Sequence, residues 1–291
     1  MSTHSNVGNL RVAGLTTLAL VAFAGNSVLC RLALKDGSID AASFSTVRLV
    51  SGAIALLVIL YATNRGTRPA SYGSWTSATM LFLYAVCFSF AYTSLDAGIG
   101  ALILFGMVQA TMVAGALWAG ERPTVAEWIG WLLAVCGFVY LVSPGLTAPS
   151  PVGAGLMTIA GIGWGIYSLR GRKEPYALSA TTYNFVRTVP LVLVVSALSL
   201  NEMHLSTNGT MLAILSGAIT SGVGYAIWYT ALRSISSMQA AMVQLSVPIL
   251  AAAGGVLFLA ESVSLRLIVS GLLILGGIFL AVFGKAKLME T

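Results

Sequence analysis

Ten apolar stretches of about twenty residues each, parted by very short polar breaks, leave this chain almost no way to fold in water. They run about 11–33, 41–62, 76–95, 98–118, 125–143, 152–170, 179–199, 211–231, 238–258 and 265–283. A helix of about 20 apolar residues crosses a hydrocarbon core of roughly 30 Å. Lipid offers the backbone no partners, so only helices and closed barrels span it. The stretches are uniformly apolar rather than alternating, which selects helices over barrel strands. Charged residues make up only 8% of the chain, against about 25% in a soluble domain, so a polar coat for a globule cannot be assembled. The same scarcity excludes a disordered chain. Cys30, Cys87 and Cys136 lie in apolar runs without metal-like spacing, which excludes a disulfide scaffold. Ala22-Phe23-Ala24 imitates a signal-peptide cleavage site. The apolar pattern continues past it to about Leu34 and recurs later, so the first stretch is expected to stay in the mature protein.

Lysine and arginine in the short breaks set the orientation, because cytoplasmic loops collect them. With the N-terminus inside, that side holds Arg11, Arg65, Arg68, Arg122, Arg170, Arg172, Lys173, Arg233, Lys285 and Lys287, and the other side holds Arg31, Lys35 and Arg266. Both termini are expected in the cytoplasm, in a plasma (bacterial inner) membrane. The net charge of +6 then reports topology and calls for no nucleic-acid partner.

The chain is written twice. Leu15, Thr17, Ala19, Ser27 and Arg31 match Leu156, Thr158, Ala160, Ser168 and Arg172 at a shift of 141. Ala41, Val47, Arg48 and Val50 match Ala180, Val186, Arg187 and Val189 at 139, and Tyr92, Thr93 and Leu95 match Tyr229, Thr230 and Leu232 at 137. Gly115, Leu117, Glu121, Leu132, Leu133 and Gly137 match Gly255, Leu257, Glu261, Leu272, Leu273 and Gly277 at 140. The expected fold is therefore all-α and integral to the membrane: ten transmembrane helices in two five-helix repeats, residues 11–143 and 152–283. Five is odd, so the second repeat enters the membrane inverted, an arrangement characteristic of secondary transporters.

Gly120-Glu121-Arg122-Pro123, then Glu127-Trp128-Ile129-Gly130, then an apolar helix ending at Gly137 resembles the signature that closes each half in the drug/metabolite transporter superfamily. The second copy departs from it, with Ala260-Glu261-Ser262-Val263 where a proline belongs. The resemblance covers nearly the whole chain. It implies ten helices, two repeats, cytoplasmic termini and export of small molecules. The functional branch it most resembles is the amino-acid exporters, including those of aromatic amino acids.

The chemistry that is missing narrows the function. No phosphate-cradling Gly-x-x-x-x-Gly-Lys-Ser/Thr loop occurs. The two histidines, His4 and His204, lie outside the spans, and no metal-binding pair is present. No cofactor, no catalytic group and no metal site are expected, so the chain does not read as an enzyme. Asp96, Glu121, Glu127 and Glu261 all fall near span ends, which argues against a deep proton relay and against a lipophilic cation as substrate. Sugar phosphates would want several central cations. Arg48 and Arg187 are the clear intramembrane charges, at matched positions. Such arginines are either functional or fold-pinning; side-matching pairs Arg48 with Glu261 and Arg187 with Glu121.

What lies at mid-depth is aromatic and neutral-polar. Tyr84, Phe88 and Tyr92 form one helical stripe, answered in the second repeat by Tyr225, Trp228 and Tyr229. Phe23 corresponds to Trp164, which Gly161, Gly163 and Gly165 surround. Asn26, Gln109 and Gln244 are the long polar side chains within the spans, and Pro248 is expected to free the Gln244 carbonyl. Trp164, Tyr84, Phe88, Gln109, Tyr225, Gln244, Phe23 and Asn26 are thus the expected substrate-binding residues. The expected substrate, beside the membrane lipid the chain sits in, is a small neutral or zwitterionic metabolite with an apolar part, such as an amino acid. The alternatives are a multidrug exporter using the same cavity and, from another class, a lipid-modifying enzyme.

The charge bias carries a test. A cysteine placed near Lys287 should escape impermeant thiol reagents applied to intact cells, and one near Asn208 should react; the reverse pattern would turn the chain upside down.

Overall fold

The computed structural model describes residues 2–63, 72–118, 120, 124–145, 148–171, 174–232, 234–235, 240 and 243–288. Among them the only β pairing is one isolated bridge, Ile39 with Leu205. The helices are α1 (Ser2–Lys35), α2 (Ala41–Thr63), α3 (Trp75–Ala91), α4 (Ala97–Trp118) and α5 (Val125–Val142). They continue as α6 (Pro151–Gly171), α7 (Ala177–Leu198), α8 (Thr207–Leu232), α9 (Ser246–Leu259) and α10 (Leu265–Leu288). By length and composition α1, α2 and α4 to α8 suffice to cross a membrane, while α3, α9 and α10 are apolar but shorter. Leu18, Val58, Leu132, Leu257 and Leu272 leave apolar side chains on the outside of the bundle, as a lipid-solvated surface requires.

Helix ends follow local chemistry, and some differ from the apolar stretches. The third stretch continues to residue 95, yet α3 stops at Ala91, where the bonding tightens to three residues back: Thr93 N–H donates to Phe90 O and Ser94 N–H to Ala91 O. The Tyr92 hydroxyl donates to Ala97 O (3.2 Å) and the ring covers Gly100, where a Cβ would collide with it. Ser74 caps α3 by accepting from Ser77 N at 3.1 Å. Thr124 and Glu127 cap α5 reciprocally, Glu127 N donating to Thr124 Oγ1 (3.2 Å) and Thr124 N to Glu127 Oε2 (2.7 Å). Glu127 is thereby explained as a helix cap; Glu121, Arg122 and Pro123 lie outside the described residues.

Pro248 does not interrupt α9. The turn falls at Leu245 and the helix begins at Ser246, which puts Pro248 in the first turn. Val243 and Gln244 before the break are themselves helical, and Pro248 has no N–H to give the Gln244 carbonyl four residues back, as the sequence leads one to expect. In α7, by contrast, Pro190 sits inside a continuous helix.

The large helix contacts come in exchange pairs. α3 and α4 pack on α6, while α8 and α9 pack on α1; α2 packs on α7, and α5 on α10. Small residues set the closest approaches. A Cβ on Gly130 would strike the Gly277 carbonyl and Ala281, and one on Gly277 would strike the Gly130 carbonyl and Ala134. Gly217 of α8 lies against the Arg48 carbonyl and Ser51 of α2 in the same way. α8 is also wound as a π-helix over Leu215–Val223. At about 100° per residue a regular α-helix would set Ser216 and Tyr225 on opposite faces. The wider π turn brings both to α1, Ser216 against Asn26 and Tyr225 against Phe23.

Replacing Gly277 by leucine should force α5 and α10 apart and destabilise the protein by about 1–3 kcal/mol, the usual cost of overpacking. Thermal unfolding in detergent measures it; Gly14→Leu, at a position with open space around it, is the control that should leave the melting temperature unchanged.

Candidate functional site

Polar side chains have to find partners within the bundle, and at mid-depth they do so on one network. Asn26 of α1 accepts from Ser216 Oγ (2.6 Å) and Thr220 Oγ1 (3.3 Å) of α8, and its Nδ2 donates to Tyr84 Oη of α3 (3.3 Å). Tyr84 Oη also accepts from Arg48 Nη2 of α2 (3.0 Å), while Arg48 Nε donates to Ser221 Oγ (3.3 Å). The Arg48 guanidinium lies 4.8 Å from the Phe88 ring centroid and 5.2 Å from that of Tyr84, within cation–π range. Arg48 is 1% exposed, and its Nη1 is buried without a hydrogen-bond partner.

Around this network the aromatic residues form a continuous cluster. Trp164 is its hub, with ring centroids at 4.9 Å from Tyr84, 5.1 Å from Tyr225, 5.5 Å from Tyr167 and 6.4 Å from Phe23. Gly161, Gly163 and Gly165 let α6 close on α4 and α3: their added Cβ atoms would meet Leu104 and Met107, Met80, and Thr111 respectively. Phe23 reaches the second half through Tyr225 (5.7 Å) and Trp228 (5.6 Å).

Two spaces meet at Trp164 and Tyr225, which line both. The larger, about 360 Å³, includes Gln109, Met112, Trp228, Tyr229 and Gln244 in its wall and runs to Gly171, Glu174 and exposed Pro175 at the α6–α7 connection. The smaller, about 20 Å³, is enclosed by Phe23, Asn26, Ser27, Tyr84, Phe88, Leu104, Phe105 and Thr220 as well. The structure thus gathers all eight expected residues around one pair of adjoining spaces. Gln109, Gln244, Trp164 and Tyr225 face the larger; Phe23, Asn26, Tyr84 and Phe88 face only the smaller.

The opposite end of the bundle is tied shut by links between the halves. Arg31, 9% exposed, pairs with Asp96 and Glu261 at 3.3 Å each and donates to the Tyr92 (3.0 Å) and Thr93 (3.2 Å) carbonyls. Glu261 Oε2 accepts from Ala97 N at 2.9 Å, and Lys35 Nζ donates to Leu259 O at 2.8 Å. Arg266 holds the Ser143 carbonyl. Burial pushes the Glu261 carboxyl above its ordinary range; the Ala97 N–H and Arg31 oppose this, and the neighbouring Asp96 adds to it. The expected pairing of Glu261 with Arg48 is therefore corrected: its carboxylate is held by Arg31, closer to that end. Glu121, expected beside Arg187, lies outside the described residues, and Arg187 donates to Tyr72 O at 2.9 Å.

Sequence reasoning missed Ser216, Thr220 and Ser221 as members of the network. Their signal was present as three hydroxyls within six residues of one span: Ser216 and Thr220, four apart, share an α-helical face, whereas Ser221 would fall about 140° from Ser216 at α-helical spacing and joins them through the π winding.

A model of the EamA-like transporter family matches the chain twice, over residues 11–143 and 151–283. The chain belongs to that family. An uncharacterized protein of Pseudomonas aeruginosa is 47% identical over 266 residues, covering 91% of this chain and 92% of its own. A probable amino-acid metabolite efflux pump of Escherichia coli is 25% identical over 216 residues, 69% of this chain and 72% of that one. An uncharacterized transporter of Bacillus subtilis is 22% identical over 254 residues, 82% of this chain and 86% of that one. A solved crystal structure at 18% identity superposes on 91% of this chain and 98% of its own with a TM-score of 0.63, a likeness of fold.

At the closed end, Asp40 accepts from Ser43 N (2.8 Å) and His204 N (3.0 Å). Burial raises its carboxyl, but these hydrogen bonds outweigh it and hold the group below its ordinary range. A depressed carboxyl stabilises the fold fully above its unfolded pKa of about 3.9, and that stabilisation is lost as pH falls through the lower folded value. Asp40→Asn should therefore lower the melting temperature at pH 7, with the gap from wild type closing below about pH 4.

Proposed function

We propose that this protein exports small neutral or zwitterionic metabolites with an apolar part, amino acids and aromatic amino acids foremost, across a bacterial inner membrane. The carrying observation is the aromatic cavity: about 360 Å³ falls in the range of roughly 300–1,000 Å³ typical of small-ligand sites. Its wall combines Trp164, Tyr225 and Trp228 with the amides of Gln109 and Gln244. Rings enclose an apolar part, each contributing about 1 kcal/mol, and the amides receive the polar end. The name carried by the Escherichia coli relative supports an amino-acid metabolite as cargo and export as direction.

The mechanism is alternating access by two inverted five-helix repeats, residues 11–143 and 152–283, in a ten-helix chain with both termini in the cytoplasm. The exchange pairs of helix contacts and the two family matches support it. In that orientation the cavity opens inward and the Arg31–Asp96–Glu261 cluster seals the outside, the state in which an exporter loads. Breaking the cluster opens the other face. Transport runs down the substrate's own gradient. Among the described residues the acid on the cavity wall is Glu174, at its mouth rather than at the ring cluster. A hundredfold excess inside is worth about 2.7 kcal/mol for a neutral species.

The test is efflux from proteoliposomes loaded with labelled amino acids. Aromatic amino acids should leave without a pH gradient. Trp164→Ala should cut their flux about fivefold, as expected for a lost ring worth about 1 kcal/mol, while the variant still folds. Accumulation against the substrate gradient, abolished by Glu261→Gln, would instead make the protein a proton-coupled pump, and competition by structurally unrelated drugs would make it a multidrug exporter.

A further inference from the structure

Arg48 has a requirement that the protein itself does not meet. It is fully buried at mid-depth on α2, and its two described hydrogen bonds go to neutral hydroxyls, Ser221 Oγ and Tyr84 Oη. Its Nη1 has no partner. Among the described residues the two ion pairs both belong to Arg31, and no carboxylate pairs with Arg48. A buried guanidinium without a counter-charge is costly, and burial raises the value of any anion brought to it. A residue kept in the fold for packing alone would be served better by an apolar side chain.

The surroundings lead from that charge to the cavity. The rings of Tyr84 and Phe88 stand over the guanidinium and also wall the smaller space. Tyr84 Oη accepts from both Arg48 and Asn26, which leaves its proton for donation, and Tyr225 lines the same smaller space as Tyr84. Tyr225 lines the larger space as well. Arg48, Tyr84 and Tyr225 thus form a relay from a buried cation, through the smaller space that both tyrosines line, to the wall of the main cavity. Trp164 and Phe23 stand beside it to receive an apolar group.

We propose that this relay is the receptor for a carboxylate carried by the substrate. The inference rests on the transporter reading above and sharpens it. A carboxylate becomes the part of the cargo that is required, and an amino group is dispensable. The substrate's anionic end enters the space lined by Tyr84 and Tyr225 and brings to Arg48 the charge it lacks, and Arg48 is the specificity-determining residue.

Binding to the purified protein in detergent, followed by thermal shift, tests this with five probes that share one ring: phenylalanine, 3-phenylpropionate, phenyllactate, phenylalaninamide and phenethylamine. The three carboxylates should bind roughly tenfold or more tightly than the amide and the amine, the scale of one hydrogen bond to a charged group. Arg48→Gln should abolish that preference, Arg48→Lys should retain part of it, and Tyr84→Phe should weaken it while leaving Arg48 in place. Because the comparison among ligands is made first on the unaltered protein, a poorly folding variant does not remove the test. Equal binding of phenylalanine and its amide would overturn the inference and leave amino-acid export standing. Tight binding of 3-phenylpropionate without phenylalanine would sink amino-acid export and support the receptor. Absence of binding by all three carboxylates, displacement by chloride alone, or an unchanged preference in well-folded Arg48→Gln would each overturn it.

Discussion

A hydrogen-bonding side chain surrounded by lipid has to find its partner on a neighbouring helix, and that constraint organises the middle of this protein. Asn26, Arg48, Tyr84, Ser216, Thr220 and Ser221 lie on four helices, and each supplies what another lacks. Apolar contacts between helices gain little over contacts with lipid tails, so such bonds fix which helices meet and at what depth. The glycines then decide how closely they meet. Where α5 and α10 touch, Gly130 and Gly277 face each other's carbonyls, and where α2 meets α8, Gly217 rests on the backbone of Arg48.

Much of this was legible in the sequence, because lipid makes composition speak directly for structure. Uniform apolar runs gave the helices, and the residues from Gly120 to Gly137 carried the resemblance to a transporter family that the family match bears out. The candidate site was legible for the same reason: amides and aromatic rings at mid-span have to turn inward, and Trp164, Gln109 and Gln244 do. Charge pairing was not legible. Side-matching assigned Glu261 to Arg48, whereas the closer partner is Arg31, which the loop count had treated only as a topology signal. A count of charges along the chain carries no depth, and the last turn of α1 draws Arg31 into the bundle.

The two ends of the bundle differ in how they are held. One is tied by full charges: Arg31 between Asp96 and Glu261, Lys35 on a carbonyl, Arg266 on the α5 terminus. Among the described residues, the contacts near the cavity mouth include the tilted ring pair of Tyr72 and Tyr176 (4.8 Å), the bond from Arg170 to Ser77 (3.0 Å) and that from Arg187 to the Tyr72 carbonyl (2.9 Å). A clamp of ionised groups is strong where water is excluded and weak once water enters. Any opening at the charged end therefore undoes its own restraint as it proceeds, which favours two well-separated states over a graded series.

The π-wound segment of α8 adds a rotational degree of freedom to this picture. Its winding turns the hydroxyls of Ser216 and Thr220 to Asn26 and the rings of Tyr225 and Trp228 to Phe23, all on the side of α1. Returning residues 215–223 to ordinary α winding would leave Ser216 on Asn26 and screw everything beyond it around the helix axis. Tyr225 and Trp228 would leave the cavity together, with no helix sliding past another. The rings that line the cavity and the hydroxyls that anchor the bundle are thus geared through one stretch of backbone, and the gear ratio is set by a single hydrogen-bond register.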